Sequence, residues 1–260
     1  MKLPICEMFV STQMEGSLSG VPSIFLRVSG CNLTCCFKNS RCDTPYASFN
    51  PEKSKYKSID EAVKEFNKLR EKYPKVKDLV ITGGEPLMYA KGLEEFLSKV
   101  YTSDLIVTIE TNGTLPPLKG DYVSLYSISP KLSTSMCKET SDILTPAQIE
   151  HHNNTRINIL NLLRLVTVKD ADFQLKFVYS GEECIKEIED ILHNISNTQT
   201  LMSPESCLEY LNDCVMLMPE GMDDETLRKS RQECVAKCIE KGWRYTDRLH
   251  IIVWGNKRGV

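Results

Sequence analysis

The chain lacks any stretch long and apolar enough to span a membrane, and its N-terminal run MKLPICEMFVSTQMEG has neither an apolar core nor a small-residue cleavage site. Those absences set the expectation of a cytoplasmic protein with no membrane partner. A basic excess is missing too: 32 Lys and Arg stand against 35 Asp and Glu, for a net charge of -3. A surface that grips nucleic acid through its phosphates needs such an excess, so a small molecule is the expected ligand. There are no internal repeats and no low-complexity tracts. With 41% apolar and 26% charged residues over 260 positions, the composition is that of a globular chain able to bury a substantial core, expected as one domain over 1–260.

Cysteine, by contrast, is abundant at eleven residues. The odd count, irregular spacing and chain length argue against a secreted disulfide framework and for metal binding. Seven of them (Cys6, Cys137, Cys184, Cys207, Cys214, Cys234 and Cys238) stand apart from the others and read as small buried apolar residues. Cys234 and Cys238 lie one turn apart on an expected helix. With Leu227 and Ile239 they read as a face packing on a sheet, the alternative being a metal ligand pair.

Apolar runs and helical periodicity alternate along the chain, which predicts an α/β fold with a mostly parallel sheet. The expected strands are 23–28, 78–82, 105–110, 123–128, 173–178, 214–218 and LHIIVW at 249–254, several of them continuous apolar runs suited to burial on both faces. Expected helices cover SIDEAVKEFNKLREKY (58–73), with a Ser cap and an acidic first turn, GLEEFLSKV (92–100), and the long stretch from Asp223 to Trp243. The polar region 131–164 reads as an insertion, either a long loop or a helical segment, and the chain closes on a helix-strand extension.

The remaining four cysteines fall within CNLTCCFKNSRCDTPY, directly after the first expected strand, in a turn containing Asn32, Asn39, Ser40 and Asp43. Three thiolates can hold an iron-sulfur cluster and leave one iron open to a ligand. A closed zinc site needs four ligands, and the neighbouring side chains of Cys35 and Cys36 diverge, so one of the two is a bystander.

This run resembles the radical S-adenosylmethionine (SAM) enzymes, whose signature is CxxxCxxC in a loop after the first strand of a partial barrel. SGCNLTC followed by CDTPYA is similar, more narrowly, to the 7-carboxy-7-deazaguanine synthases. Here the second gap is six residues, giving CxxxCx6C. STQMEG (11–16), TGGEP (82–86), ETNGT (110–114), ISPK (128–131) and the terminal LHIIVWGNKRGV follow the family pattern in order. The resemblance implies a modified partial (β/α)6 barrel, and a lyase that contracts the ring of 6-carboxy-5,6,7,8-tetrahydropterin with loss of ammonia. Alternatives are a radical SAM activase acting on another protein, or a noncatalytic zinc module.

The resemblance also assigns roles. Cys31, Cys35 and Cys42 hold a 4Fe-4S cluster, Cys42 being preferred to Cys36 because DTPYA follows it, and Thr44 offers a hydroxyl to magnesium. SAM meets Gly84 and Glu85 of TGGEP, Ser129 and Lys131 of ISPK, and Met218, Pro219 and Glu220. Thr12, Gln13, Met14 and Glu15 meet the pterin's amide edge, with Met14 where the family has Gly, and Thr82 and His250 face the substrate. Arg27, a charge at the end of an apolar strand, suits the substrate carboxylate or else an internal acid. His250 alternatively is a core histidine. A homodimer and an electron donor such as flavodoxin are implied as well.

Overall fold

The computed structural model describes residues 3–38, 41–255 and 257–259, with backbone alone at 139 and 140; Asn39 and Ser40 of the expected turn lie outside the described residues. One eight-stranded sheet runs through the molecule in the order β1 to β8, each strand beside its sequence neighbours. The strands are β1 (Ile5–Thr12), β2 (Pro22–Val28), β3 (Asp78–Gly83), β4 (Ile106–Thr111), β5 (Leu125–Ile128), β6 (Asp172–Tyr179), β7 (Val215–Pro219) and β8 (Arg244–Tyr245). β1 pairs antiparallel with β2, and every later pair is parallel. No pairing among the described residues joins β8 to β1, so the parallel strands form an open, partial barrel.

Helices α1 (Ile59–Lys72), α2 (Ala90–Val100), α3 (Lys138–Ser141), α4 (Pro146–Thr155), α5 (Ile159–Val166), α6 (Glu183–Thr198), α7 (Pro204–Asp213) and α8 (Asp224–Lys241) lie in the crossovers between parallel strands, except that β4 passes to β5 without one, and α9 (Leu249–Trp254) follows β8. Local chemistry explains their ends. Ser58 accepts from the Glu61 amide to start α1, and Gly242 adopts the left-handed conformation, φ 70°, that stops α8. Ile24, Leu26 and Val28 of β2, Leu79 and Ile81 of β3, and Val107 and Ile109 of β4 pack with Phe66 and Phe96 of α1 and α2 to make the core. The Phe66 and Phe96 rings meet edge to face at 5.8 Å.

Three expectations change. The run LHIIVW is helix α9, not a strand: only Ile251 is buried, while Ile252, Val253 and Trp254 face outward. A short apolar run carries no period that separates strand from helix, and here β8 ends after two residues. β1 is an additional strand, antiparallel and half-buried on its later residues, so it shows neither the apolar run nor the alternation used to find the others. On α8, Leu227, Cys234 and Cys238 are buried as a packing face, but Ile239 is 78% exposed. The polar region 131–164 is helical, forming a short 3-10 turn and α3, α4 and α5.

Candidate active site

The parallel strands point their C-terminal ends toward one cavity of about 990 Å³, lined by residues of six strands, β1 to β4, β6 and β7, and by the segments that follow the strands. Cys31, Cys35 and Cys42 line one wall. The two ends of the longer gap are tied together: Cys36 bridges Arg41 in antiparallel fashion, and the Cys42 N–H donates to the Cys35 carbonyl at 3.2 Å. Cys36 is fully buried but not on the cavity wall. Its backbone is tied to the insertion, its N–H donating to Ser135 O and its carbonyl accepting from the Cys137 N–H, each at 2.7 Å.

The cysteine loop is held from three sides. Gly84 packs so tightly that a Cβ there would overlap the carbonyl oxygens of Gly30 and Ala47, so this glycine serves the approach of the loop as well as lining the cavity. From ETNGT, Asn112 Nδ2 donates to Asn32 Oδ1 at 2.9 Å and lies 4.0 Å from Cys31 Sγ. From α4, His152 Nδ1 accepts from the Thr34 N–H at 3.3 Å, and His151 Nε2 lies 3.1 Å from Asn32 O. The polar insertion therefore buttresses the cysteine loop.

Thr12, Gln13, Met14, Glu15, Thr82 and His250 all border the cavity. Arg27 does too, and its Nε donates to Glu7 Oε1 at 2.6 Å, so the internal acid and the exposure to the cavity are both present. Thr44 borders it as well, its hydroxyl donating to Asp43 Oδ1 at 3.0 Å. Ser129, Lys131, Met218, Pro219 and Glu220 border the cavity, with the Lys131 ammonium on Ser129 O and Oγ at 2.8 and 2.7 Å. Glu85 is the exception. It is fully buried and absent from the wall, its carboxylate accepting from the Leu87 and Asn112 amides and the Thr111 hydroxyl. Its side chain ties TGGEP to ETNGT.

The electrostatics centre on Glu15. Burial pushes its carboxyl up, but Lys176, Arg248 and His250 outweigh this and hold it well below the usual carboxylate range. Burial in turn drives the His250 imidazole below its ordinary value despite Glu15. Burial pushes the cavity thiols up, to about 11 at Cys31. Such thiols ionise when a metal takes the proton's place, which suits an iron cluster. A four-thiolate zinc site would need Cys36, which sits off the wall, and no three His, Cys, Asp or Glu among the described residues converge on a single-ion site.

Several cavity residues escaped the reading of the sequence: Glu110, Asn112, Lys176, Arg248 and Arg258. Lys176 carries a usable signal, a charge inside the apolar strand FQLKFV, by the same reasoning that singled out Arg27. Glu110 and Asn112 lie within ETNGT, whose polar residues were not separated there by role.

Comparison with known proteins places this geometry in context. The Radical SAM superfamily model matches residues 26–128. The 7-carboxy-7-deazaguanine synthase of Rhodopirellula baltica is 37% identical over 259 residues, 99% of this chain and 89% of the relative. That of Halobacterium salinarum is 35% identical over 256 residues, covering 98% and 91%. The crystal structure of QueE from Escherichia coli shares the fold at a TM-score of 0.58 and 22% identity, covering 94% of this chain and 93% of that one. With more than a third of its residues shared along almost its whole length, the chain belongs to the 7-carboxy-7-deazaguanine synthase family of radical SAM enzymes.

Proposed function

We propose that this protein converts 6-carboxy-5,6,7,8-tetrahydropterin to 7-carboxy-7-deazaguanine with loss of ammonia. The observation that carries the reading is the meeting of three thiols, Cys31, Cys35 and Cys42, with Arg27, Gln13 and Glu15 around one cavity. The thiols would hold a 4Fe-4S cluster, and Gly84, Ser129, Lys131 and the Met218–Glu220 segment would hold SAM beside it. When bound, the cluster and SAM would supply the radical chemistry that starts the reaction at the substrate.

The chain's own residues bind and orient. Arg27 presents a guanidinium whose Nε alone is engaged by Glu7, leaving its fork to meet a substrate carboxylate. Glu15, ionised and acceptor-only, receives N–H donors of the pterin, and Gln13, fixed by its bond to Ser23 Oγ at 3.2 Å, lies beside it. Thr44 is the residue that would offer a magnesium ion a hydroxyl oxygen. Thr82 and His250 border the substrate, and the half-buried imidazole, its pKa lowered, can hold or pass a proton at its ring nitrogens.

Eleven free cysteines suit a reducing cytoplasm. No helix among the described residues is long and apolar enough to cross a membrane. An electron donor such as flavodoxin would reduce the cluster, and the outward-facing Ile252, Val253 and Trp254 of α9 offer apolar surface for a homodimer. The test is anaerobic reconstitution with iron and sulfide, then dithionite, SAM and the tetrahydropterin, with mass spectrometry of the products. Formation of both 5'-deoxyadenosine and 7-carboxy-7-deazaguanine is expected; SAM cleavage without the deazaguanine overturns the substrate assignment.

A further inference from the structure

Lys176 occupies the middle of β6, where its neighbours Leu175 and Phe177 are core residues, yet its own ammonium opens onto the cavity at 3% exposure. It donates to Glu15 Oε2 at 2.7 Å and to Glu110 Oε2 at 3.1 Å. The other oxygen of Glu15 is 3.4 Å from Arg248 Nε and 4.0 Å from His250 Nδ1. Arg248, at the start of α9, is itself bonded to Asp43 of the cysteine loop and to the Gly221 carbonyl. The charged groups facing Lys176 thus come from the turn after β1, from β4, from α9 and from the cysteine loop, and it alone bonds Glu15 and Glu110 together among the described residues.

We propose that Lys176 is a positioning residue of the substrate pocket: by bonding Glu15 and Glu110 at once, it holds the two carboxylates as a paired acceptor edge for a heterocycle that offers adjacent N–H donors. The proposal rests on the pterin reading above. Two carboxylates brought together at one half-buried site repel, and a buried cation between them favours keeping both as acceptors. A proton on either would present the wrong hydrogen-bond pattern to the ligand. Stability alone is a poor reason for such a triad, because apolar groups of similar volume usually do as well in a buried site. The firmly ionised state of Glu15, owed in part to Lys176, agrees with the role.

The experiment compares wild type, Lys176→Met and Lys176→Arg as reconstituted holoenzymes, following deazaguanine formation from the tetrahydropterin against pH. Lys176→Met is expected to raise KM at least about tenfold, and to move the acid limb of kcat/KM upward by about one to three pH units, since Glu15 loses an opposite charge at hydrogen-bond distance. Cluster absorbance should be unchanged, and Lys176→Arg, which keeps the charge, should restore the wild-type limb. If Lys176→Met does not fold, Lys176→Gln, uncharged but of similar polarity, is read in the same way. An unmoved acid limb in a folded, cluster-bearing uncharged variant overturns the role even if KM rises, because packing alone would do that. Failure of Lys176→Arg to restore the limb overturns it as well. Wild type that cleaves SAM but makes no deazaguanine overturns the pterin reading instead, which separates the two failures.

Discussion

Cys42 hydrogen-bonds Cys35 backbone to backbone, its N–H donating to the Cys35 carbonyl at 3.2 Å, although six residues separate them. Cys36 bridges Arg41 beside it, and the two contacts return the third thiol to the cavity wall that a two-residue gap would reach directly. Cys42→Ala should therefore abolish cluster assembly, read as loss of iron and of the brown absorption near roughly 400 nm typical of iron-thiolate centres. Cys36→Ala should keep both and lose only about 1 kcal/mol of stability, the cost of one buried atom's packing. Loss of the cluster in Cys36→Ala with retention in Cys42→Ala would reverse the assignment.

Gly84 makes a second, sharper prediction. Its neighbours are backbone carbonyls of Gly30 and Ala47, which cannot swing aside as a side chain would, and the Glu85 N–H donates to Gly30 O at 2.9 Å in the same contact. Gly84→Ala should displace the start of the cysteine loop, cost about 2 kcal/mol or more, and lower iron occupancy in reconstituted protein. Full iron content and an unchanged melting temperature would show that the loop tolerates the displacement.

How much of this could be read in advance depends on the kind of signal. The parallel strands β2 to β7 announced themselves as apolar runs, while the two-residue β8 did not, and the motifs at the strands' C-terminal ends fell around one cavity because parallel strands all end on the same side. β1 and α9 were not legible. An edge strand buried over its first three residues and half exposed over the rest has no fixed pattern, and LHIIVW is a helix where β8 ends early and the Leu249 N–H bonds Met14 O, a contact 235 positions away in sequence. The same limit hid Glu85, whose place in TGGEP suggested a ligand contact but whose carboxylate serves Leu87, Thr111 and Asn112. A side chain's partners across the sheet are set by packing, and a motif records only that the residue matters.

His152 gives a pH dependence with a definite sign. It is fully buried in α4, with Nδ1 accepting from the Thr34 amide and Nε2 2.9 Å from Ser135 Oγ, whose own hydroxyl donates to Leu132 O, so Nε2 carries the proton. Burial, with Arg156, Lys131 and His151 nearby, pulls the imidazole down to about 4. The unfolded chain, with an ordinary value near roughly 6.5, then binds more protons than the fold between the two values. The stabilisation is complete above the unfolded value and is lost as pH falls toward the folded one, amounting to about 2 kcal/mol between pH 7 and 5. Denaturation midpoints should fall accordingly in wild type, whereas His152→Gln should start lower at pH 7 and fall less steeply. Equal slopes in the two proteins would refute the assignment.

The C-terminal tail should act on the substrate through Glu7. Arg258 lies on the cavity wall, its Nε donating to Glu7 Oε2 at 2.8 Å, its two terminal nitrogens engaging the Glu52 carboxylate at 2.7 and 2.9 Å, and its plane stacked 3.5 Å above the Tyr46 ring. Glu7 Oε1 meanwhile accepts from Arg27 Nε and from the Tyr46 hydroxyl. One carboxylate is thus shared by the tail and by the guanidinium assigned to the substrate's carboxylate. Removing Arg258 frees Glu7 to compete for Arg27 and releases the tail from the cavity mouth, both of which weaken substrate binding without touching the thiols. Arg258→Ala should raise KM for the tetrahydropterin about tenfold, the worth of one charge-assisted contact, while iron content and SAM cleavage stay at wild-type levels. Arg258→Lys should fall between, because an ammonium keeps the charge but neither the fork on Glu52 nor the flat stack on Tyr46. A KM that does not move in Arg258→Ala would mean that Arg27 holds its orientation from Glu7 alone, and that the tail is only a neighbour of the site.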